Sequence, residues 1–166
     1  NRDYYFESDD KMIEIQSEYL NHIQKMFKLA GFSTLEASEA SQAVMMIERQ
    51  LALAHFSQVK LRDSQANYHL YTVDSLKASF PGFCWDTYFA TLGCPDVKEI
   101  SVSQEEPIRK SIEIMNEAQI KDLRYYMQWQ VLSAAASYMS DEFAEEKFNF
   151  HGKVISGRQE QSPRWR

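Results

Sequence analysis

Apolar residues in the first part of the chain recur at three- and four-residue intervals, the spacing of one face of an α-helix. Met12, Tyr19, Ile23, Phe27 and Ala30 fall on such a face, which predicts a long amphipathic helix from about Ser8 to Ala30. Ser8 is placed to cap its start, Asp9 and Asp10 suit the positive end of the helix dipole, and Gly31 supplies a left-handed stop. Ser33-Thr34-Leu35-Glu36 has the form of a capping box and opens a second helix running to about Phe56. Its face is Ala37, Ala40, Val44, Ile47, Leu51 and Ala54. The short Gly31-Phe32 link predicts an antiparallel helical hairpin.

The pattern then breaks into shorter pieces. Thr72 to Phe80 reads as a short helix stopped by Pro81-Gly82, and Asp86 to Leu92 as another ended by Gly93. Ile100-Ser101-Val102 reads as one extended stretch that must pair elsewhere or lie flat on the helices, because a lone strand is marginal in water. Pro107 suits the first turn of a third long helix, to about Glu117. From Ala118 to Met139, Leu123, Tyr126, Trp129, Val131, Leu132, Ala135 and Tyr138 supply a broad apolar face. Ser140 is placed to cap a last helix, Asp141 to about Phe150, and the stretch from Gly152, with Gly157, Ser162 and Pro163, reads as a loop. The expected fold is all-α, a bundle of six to eight helices with at most one short extended segment.

Composition changes this picture little. The 166 residues are 44% hydrophobic and 13% aromatic, enough for a globular core, and the length fits one domain or two small helical lobes. The net charge of −6 is spread along the helices and reads as solvated helix faces. It argues against nucleic acid, which needs a basic stripe, and Arg158, Arg164 and Arg166 are too few to form one. No apolar run reaches the ~18 residues of a membrane-spanning helix. The chain opens at Asn1 without a signal peptide and reads as a piece processed or excised from something longer.

Candidate chemistry is sparse. A zinc-protease helix needs two histidines four residues apart with a glutamate after the first, and His22, His55, His69 and His151 do not supply it. Glu18 and His22 are four apart but lack a third ligand, so an exposed helix pair is the expectation. Cys84, between Phe83 and Trp85, is expected to be buried rather than reactive. Cys84 and Cys94 either pair or are both free. Glu105-Glu106 and Glu145-Glu146 are adjacent, point different ways on a helix, and read as surface residues. Arg62-Asp63, ahead of Tyr68 and Tyr71, reads as an ion pair or cap fastening a linker, with a ligand contact as the sharper reading. Trp129 reads as core. No catalytic, cofactor-binding or metal-binding residue is assigned.

Several of these elements, in order, resemble the neprilysin and endothelin-converting-enzyme family of zinc metallopeptidases. Arg2-Asp3-Tyr4-Tyr5 resembles the family's element opening a long helix, and Ile47-Glu48 with Leu51-Ala52 its Ile-Glu…Leu-Ala helix. Arg62-Asp63 with Tyr68 and Leu76, then Phe83 with Trp85, match its next two segments. Ile100 to Pro107 resembles its extended lead into a helix, and Leu123, Tyr126 and Trp129 its Leu…Tyr…Trp helix. Phe148, Phe150, Ser156-Gly157 and Arg164-Trp165 resemble its closing segment. The family's His-Glu-x-x-His, Glu-x-x-x-Asp and Asn-Ala motifs are absent from the 166 residues.

The resemblance implies that residues 1–166 are a helical cap region of a two-lobed metallopeptidase, with residues 151–166 a loop-like tail leading toward the catalytic lobe. It implies that this lobe of the same polypeptide carries the zinc, that the cap helps enclose the cavity and limit substrates to peptides, and that the chain alone is inactive. It favours an extracytoplasmic parent over a cytoplasmic one. The alternative from the residues themselves is a stand-alone helical module that binds a protein partner through an apolar groove.

Overall fold

The computed structural model describes residues 2–161. Among these are seven α-helices: α1 (Asp10–Leu29), α2 (Thr34–Ala54), α3 (Val73–Ser79), α4 (Trp85–Thr91), α5 (Glu105–Glu117), α6 (Ile120–Ala135) and α7 (Asp141–Lys147). Two strands, β1 (His69–Thr72) and β2 (Glu99–Val102), pair antiparallel with His69 opposite Val102. The mostly α-helical expectation holds. The single extended segment becomes two, because Ile100-Ser101-Val102 finds its partner in His69–Thr72, some thirty residues earlier.

The chain divides into two compact units. Of the described residues, the terminal unit takes 3–49 and 119–161, and the middle unit takes Arg2 and 50–118. Helix α2 runs across the boundary between Arg49 and Gln50.

In the terminal unit, α1 ends as its sequence dictates. Gly31 adopts φ 92°, its N–H donates to Lys28 O (3.0 Å), and the Phe32 N–H reaches back to Phe27 O (3.1 Å). This double bond pattern satisfies the last carbonyls of the helix and needs a left-handed residue, which glycine adopts without a Cβ clash. The accompanying apolar contact is Phe32 edge-on to Phe27, centroids 5.0 Å apart. The capping box forms in both directions: the Ser33 N–H donates to Glu36 Oε2 (3.0 Å) and the Glu36 N–H to Ser33 Oγ (3.2 Å). The cap of α1 is Asp9 rather than Ser8, with Asp9 Oδ1 accepting from the Met12 N–H (3.2 Å). Arg2–Tyr5 is a separate 3-10 turn, not the start of α1.

The core of this unit gathers Ile23, Met26 and Phe27 of α1, Ala37, Ala40 and Val44 of α2, Tyr125 and Trp129 of α6, and Phe143 of α7. The small residues of α2 share one cluster with the large rings of α1 and α6. Each large side chain fully removed from water contributes about 1.5–3 kcal/mol.

The last α-helix stops at Lys147 rather than near Phe150, but helical structure continues to Ile155, and the loop expected from Gly152 begins only after that. Residues Phe148–Ile155 form a π-helix that packs on α1 and α7. Phe150 is buried in it, and a Cβ at Gly152 would lie 2.3 Å from the Phe148 ring. Only a residue without a side chain lets that ring lie over the backbone. Ser162, Pro163, Arg164, Trp165 and Arg166 lie outside the described residues.

The middle unit has its own core of Leu76, Phe80, Trp85, Phe89, Val102 and Ile112. Its polar ties run mainly to backbone carbonyls. Trp85 Nε1 donates to Phe80 O (2.9 Å), Arg109 Nη1 to Ser79 O (2.7 Å), and Asn116 Nδ2 to Gly82 O (3.2 Å). Arg109 also lies over the Phe80 ring, 4.7 Å from its centroid. Helix α3 is capped by Thr72, whose hydroxyl accepts from the Ser75 N–H (3.2 Å).

Candidate functional site

The side chains with the strongest chemical character collect inside the terminal unit. Glu48 of α2 is flanked by two phenols: Tyr5 Oη donates to Oε2 (3.0 Å) and Tyr19 Oη to Oε1 (3.1 Å). Trp129 Nε1 donates to Tyr19 Oη (3.2 Å). One network therefore ties the first turn, α1, α2 and α6. Burial raises the Glu48 carboxyl above the usual carboxylate range, against the hydrogen bonds that lower it. Burial first, and then the charge of Glu48, pushes both phenols above their ordinary range, so they remain protonated donors. Tyr126 is raised by burial and by the same charge. A carboxylate enclosed by its own donors fastens elements together and leaves no nucleophile or free base.

A second cluster lies beside His22. This residue is 2% exposed, and its Nδ1 is 3.0 Å from Glu146 Oε1. Glu146 Oε2 faces Lys25 Nζ at 3.6 Å. The imidazole stacks on Phe150 (4.9 Å, 13°) and meets His151 edge-on (5.7 Å). His151 is exposed on one side, and desolvation on the other, then the charges of His22 and Lys147, shift it below the ordinary histidine range. Two sequence expectations are corrected here. His22 is not half of an exposed Glu18–His22 pair, and Glu146 is not a surface residue. They meet across 124 positions because α1 and α7 pack together. A pocket of about 230 Å³ adjoins both clusters, lined by Tyr4, Tyr5, Tyr19, Met45, Phe150 and His151 among others.

The remaining candidates are scattered. Trp129 is core, at 2% exposed. Asp63 acts as the cap: its Oδ1 accepts from the Gln65 and Ala66 N–H groups (3.0 and 3.1 Å). Tyr68 is exposed, while the Tyr71 hydroxyl donates to Glu105, a bond that raises its phenol. Glu106 is exposed and pairs with Arg109 (3.6 Å), and Glu145 is exposed. His55 is exposed and His69 Nδ1 lies 3.0 Å from Val102 O. Cys84 and Cys94 are both free and both exposed, so the expected burial of Cys84 is wrong. Cys84 stands exposed at the N-cap of α4, while its neighbours Trp85 and Phe83 pack in and against the core.

Among the described residues, no group of three His, Cys, Asp or Glu side chains is arranged to hold a metal ion. No described helix is long and apolar enough to cross a membrane. The middle unit carries an open groove of about 460 Å³ between β2, α5 and the Phe83-Trp85-Tyr88 aromatics.

Comparison with known proteins gives these parts a context. The model of peptidase family M13 matches residues 1–166. The chain belongs to peptidase family M13. It is 25% identical to mouse endothelin-converting enzyme 1 over 100% of its own length and 22% of that protein. It is 23% identical to neprilysin-11 of Caenorhabditis elegans, over 99% of this chain and 21% of that one. The chain thus spans about a fifth of the length of the curated relatives it matches. Among solved structures, zinc metalloprotease Zmp1 of Mycobacterium tuberculosis in its open state superposes with a TM-score of 0.92 at 27% identity, covering 99% of this chain and 26% of that one. PepO of Lactobacillus rhamnosis HN001 shares the fold at 14% identity, with a TM-score of 0.77.

The buried network gives a physical meaning to several residues of the M13 resemblance. Tyr5, Glu48 and Trp129 come from three separate matching segments, and all three belong to the hydrogen-bond network around Tyr19. Sequence reasoning named Glu48 only as part of the Ile47-Glu48 resemblance and gave it no chemical role. The available signal was its position four residues after Val44, which places a carboxylate toward the buried side of α2.

Proposed function

We propose that this chain is a non-catalytic helical cap region of a neprilysin-like zinc metalloendopeptidase. It helps enclose the peptide-binding cavity and limits the size of substrates that enter. One observation carries the reading: the whole chain matches only 21–26% of M13 proteins, one of them a zinc metalloprotease. About three quarters of the parent's length, and the zinc site with it, then belongs to the rest of the polypeptide. On this reading the rest of the polypeptide supplies the zinc and the groups that act in the hydrolysis. The contribution of this chain is a packed wall that restricts entry and excludes water. The catalytic lobe of the same polypeptide is the partner, peptides are the substrates, and the parent works outside the cytoplasm.

The source gene tests this. A reading frame that continues past Arg166 into His-Glu-x-x-His and then Glu-x-x-x-Asp is expected, with one equivalent of zinc in the purified parent. A frame that stops near Arg166 overturns the proposal and leaves the stand-alone binding module.

A further inference from the structure

The sheet of the middle unit is unfinished. Among the described residues it has two strands, and β2 pairs only with β1. In an antiparallel pair, alternate residues turn their N–H and C=O toward the partner and the residues between turn them away. The Val73 N–H donates to Lys98 O (3.1 Å), which sets the alternation: Lys98, Ile100 and Val102 face β1. The backbone groups of Glu99, Ser101 and Ser103 therefore face the other way, and all three residues are exposed. A two-stranded sheet is marginal, and an open strand edge templates further pairing unless something covers it or blunts it. No proline stands at Glu99, Ser101 or Ser103 to blunt this one.

The groove runs along this strand. Ile100, Ser101, Val102 and Ser103 form one wall, and Ile108, Ile112 and Met115 of α5 line it with Phe83, Trp85 and Tyr88. Trp85, Val102 and Ile112 are buried, while Tyr88 and Met115 are 42% and 47% exposed. A row of backbone donors and acceptors beside an apolar trough is the arrangement that takes an extended chain: main-chain bonds hold it, and alternate side chains enter the trough. The occupant is also constrained. Each relative carries most of its length beyond the matched region, so covering chain is present within the same polypeptide at high effective concentration.

We infer that an extended, apolar segment of the parent polypeptide outside residues 1–166 adds to β2 as a third strand and fills this groove. The inference depends on the cap reading, because it needs a longer parent.

Amide hydrogen exchange on the full-length parent, read residue by residue, tests it. Ser101 and Ser103 are expected to exchange as slowly as Ile100 and Val102, about a hundredfold or more below an open edge. Ser101→Pro removes an outward N–H and spares the β1 ladder, so it should lower the parent's melting temperature and release the protection at Ser103. Ile100→Pro, which breaks the β1 ladder, is the control for damage to the sheet itself. Fast exchange at Ser101 and Ser103 beside slow exchange at Ile100 and Val102 overturns the inference. Protection that arises only on adding a non-cleavable peptide overturns it in favour of a substrate strand, and protection that grows with protein concentration in favour of a second copy. Zinc content and peptide cleavage, measured on the same sample, report separately on the cap reading: an active zinc enzyme with a fast-exchanging edge loses only the strand.

Discussion

The two units solve the same packing problem with different chemistry. Every buried polar side chain among the described residues, namely His22, Ser41 and Glu146, lies in the terminal unit, and the half-buried Glu48 network lies there too. Its bonds join residues 29 to 124 positions apart. The middle unit buries aromatic and aliphatic groups and ties several of its polar side chains to backbone carbonyls rather than to buried polar partners. The first design specifies one arrangement of helices, because each misplacement orphans a buried group. The second is thinner, and it keeps an open groove and a bare strand edge. On the proposed reading of a cavity wall, the terminal unit provides rigidity and the middle unit offers an adhesive surface.

Trp129→Ala should break the comparison most severely. It removes a buried ring from the terminal core and leaves Tyr19 without its donor, at a cost of about 3–5 kcal/mol in chemical denaturation. A loss below about 1 kcal/mol would mean that the network is ornamental. Leu76→Ala in the middle unit comes next, at about 2–4 kcal/mol, and should speed amide exchange in β1 and β2 more than in α1.

Acidity separates the units further. Because burial raises the Glu48 carboxyl, the fold favours its neutral form. That contribution is complete below the unfolded value of about 4.3 and declines as pH rises through the folded value. Glu48→Gln retains a donor and an acceptor for the two phenols and has no charge to bury. Its stability should gain on that of the natural protein as pH rises above about 4.3, and a difference independent of pH would contradict the assignment. His151 acts in the opposite sense. With its pKa depressed, its contribution is complete above about 6.5 and is lost as pH falls through the folded value. His151→Gln should remove that acid-side decline in a denaturation series.

These effects also mark what the sequence made legible. The stop at Gly31, the Ser33–Glu36 box and the faces of α1 and α2 are local, written within one or two turns, and they form nearly as read. Pairings across long separations were not legible. His22 with Glu146 depends on where α7 returns, and β1 depends on a partner thirty residues away, too short a pattern to stand out at His69–Thr72. The π-helix was hidden because Gly152 reads locally as a breaker, whereas here it makes room for the Phe148 ring. Cys84 was misread through its neighbours: adjacency to Trp85 says nothing about burial at a helix start, where successive side chains diverge. The smallest expected effect follows. Both cysteines should react with a thiol reagent in the native protein, and Cys84→Ser should change stability by less than about 0.5 kcal/mol.

The central claim is that this chain walls a cavity and does no chemistry. The most direct test is the dependence of cleavage on substrate size in the full-length parent. One susceptible sequence is presented as a free peptide of about ten residues and as an exposed loop of a folded protein, and kcat/KM is measured for each. The account predicts efficient cleavage of the free peptide and a loss of at least about a hundredfold, some 2.7 kcal/mol, for the loop. Equal rates for the two would contradict it, because a wall that admits a folded protein limits nothing.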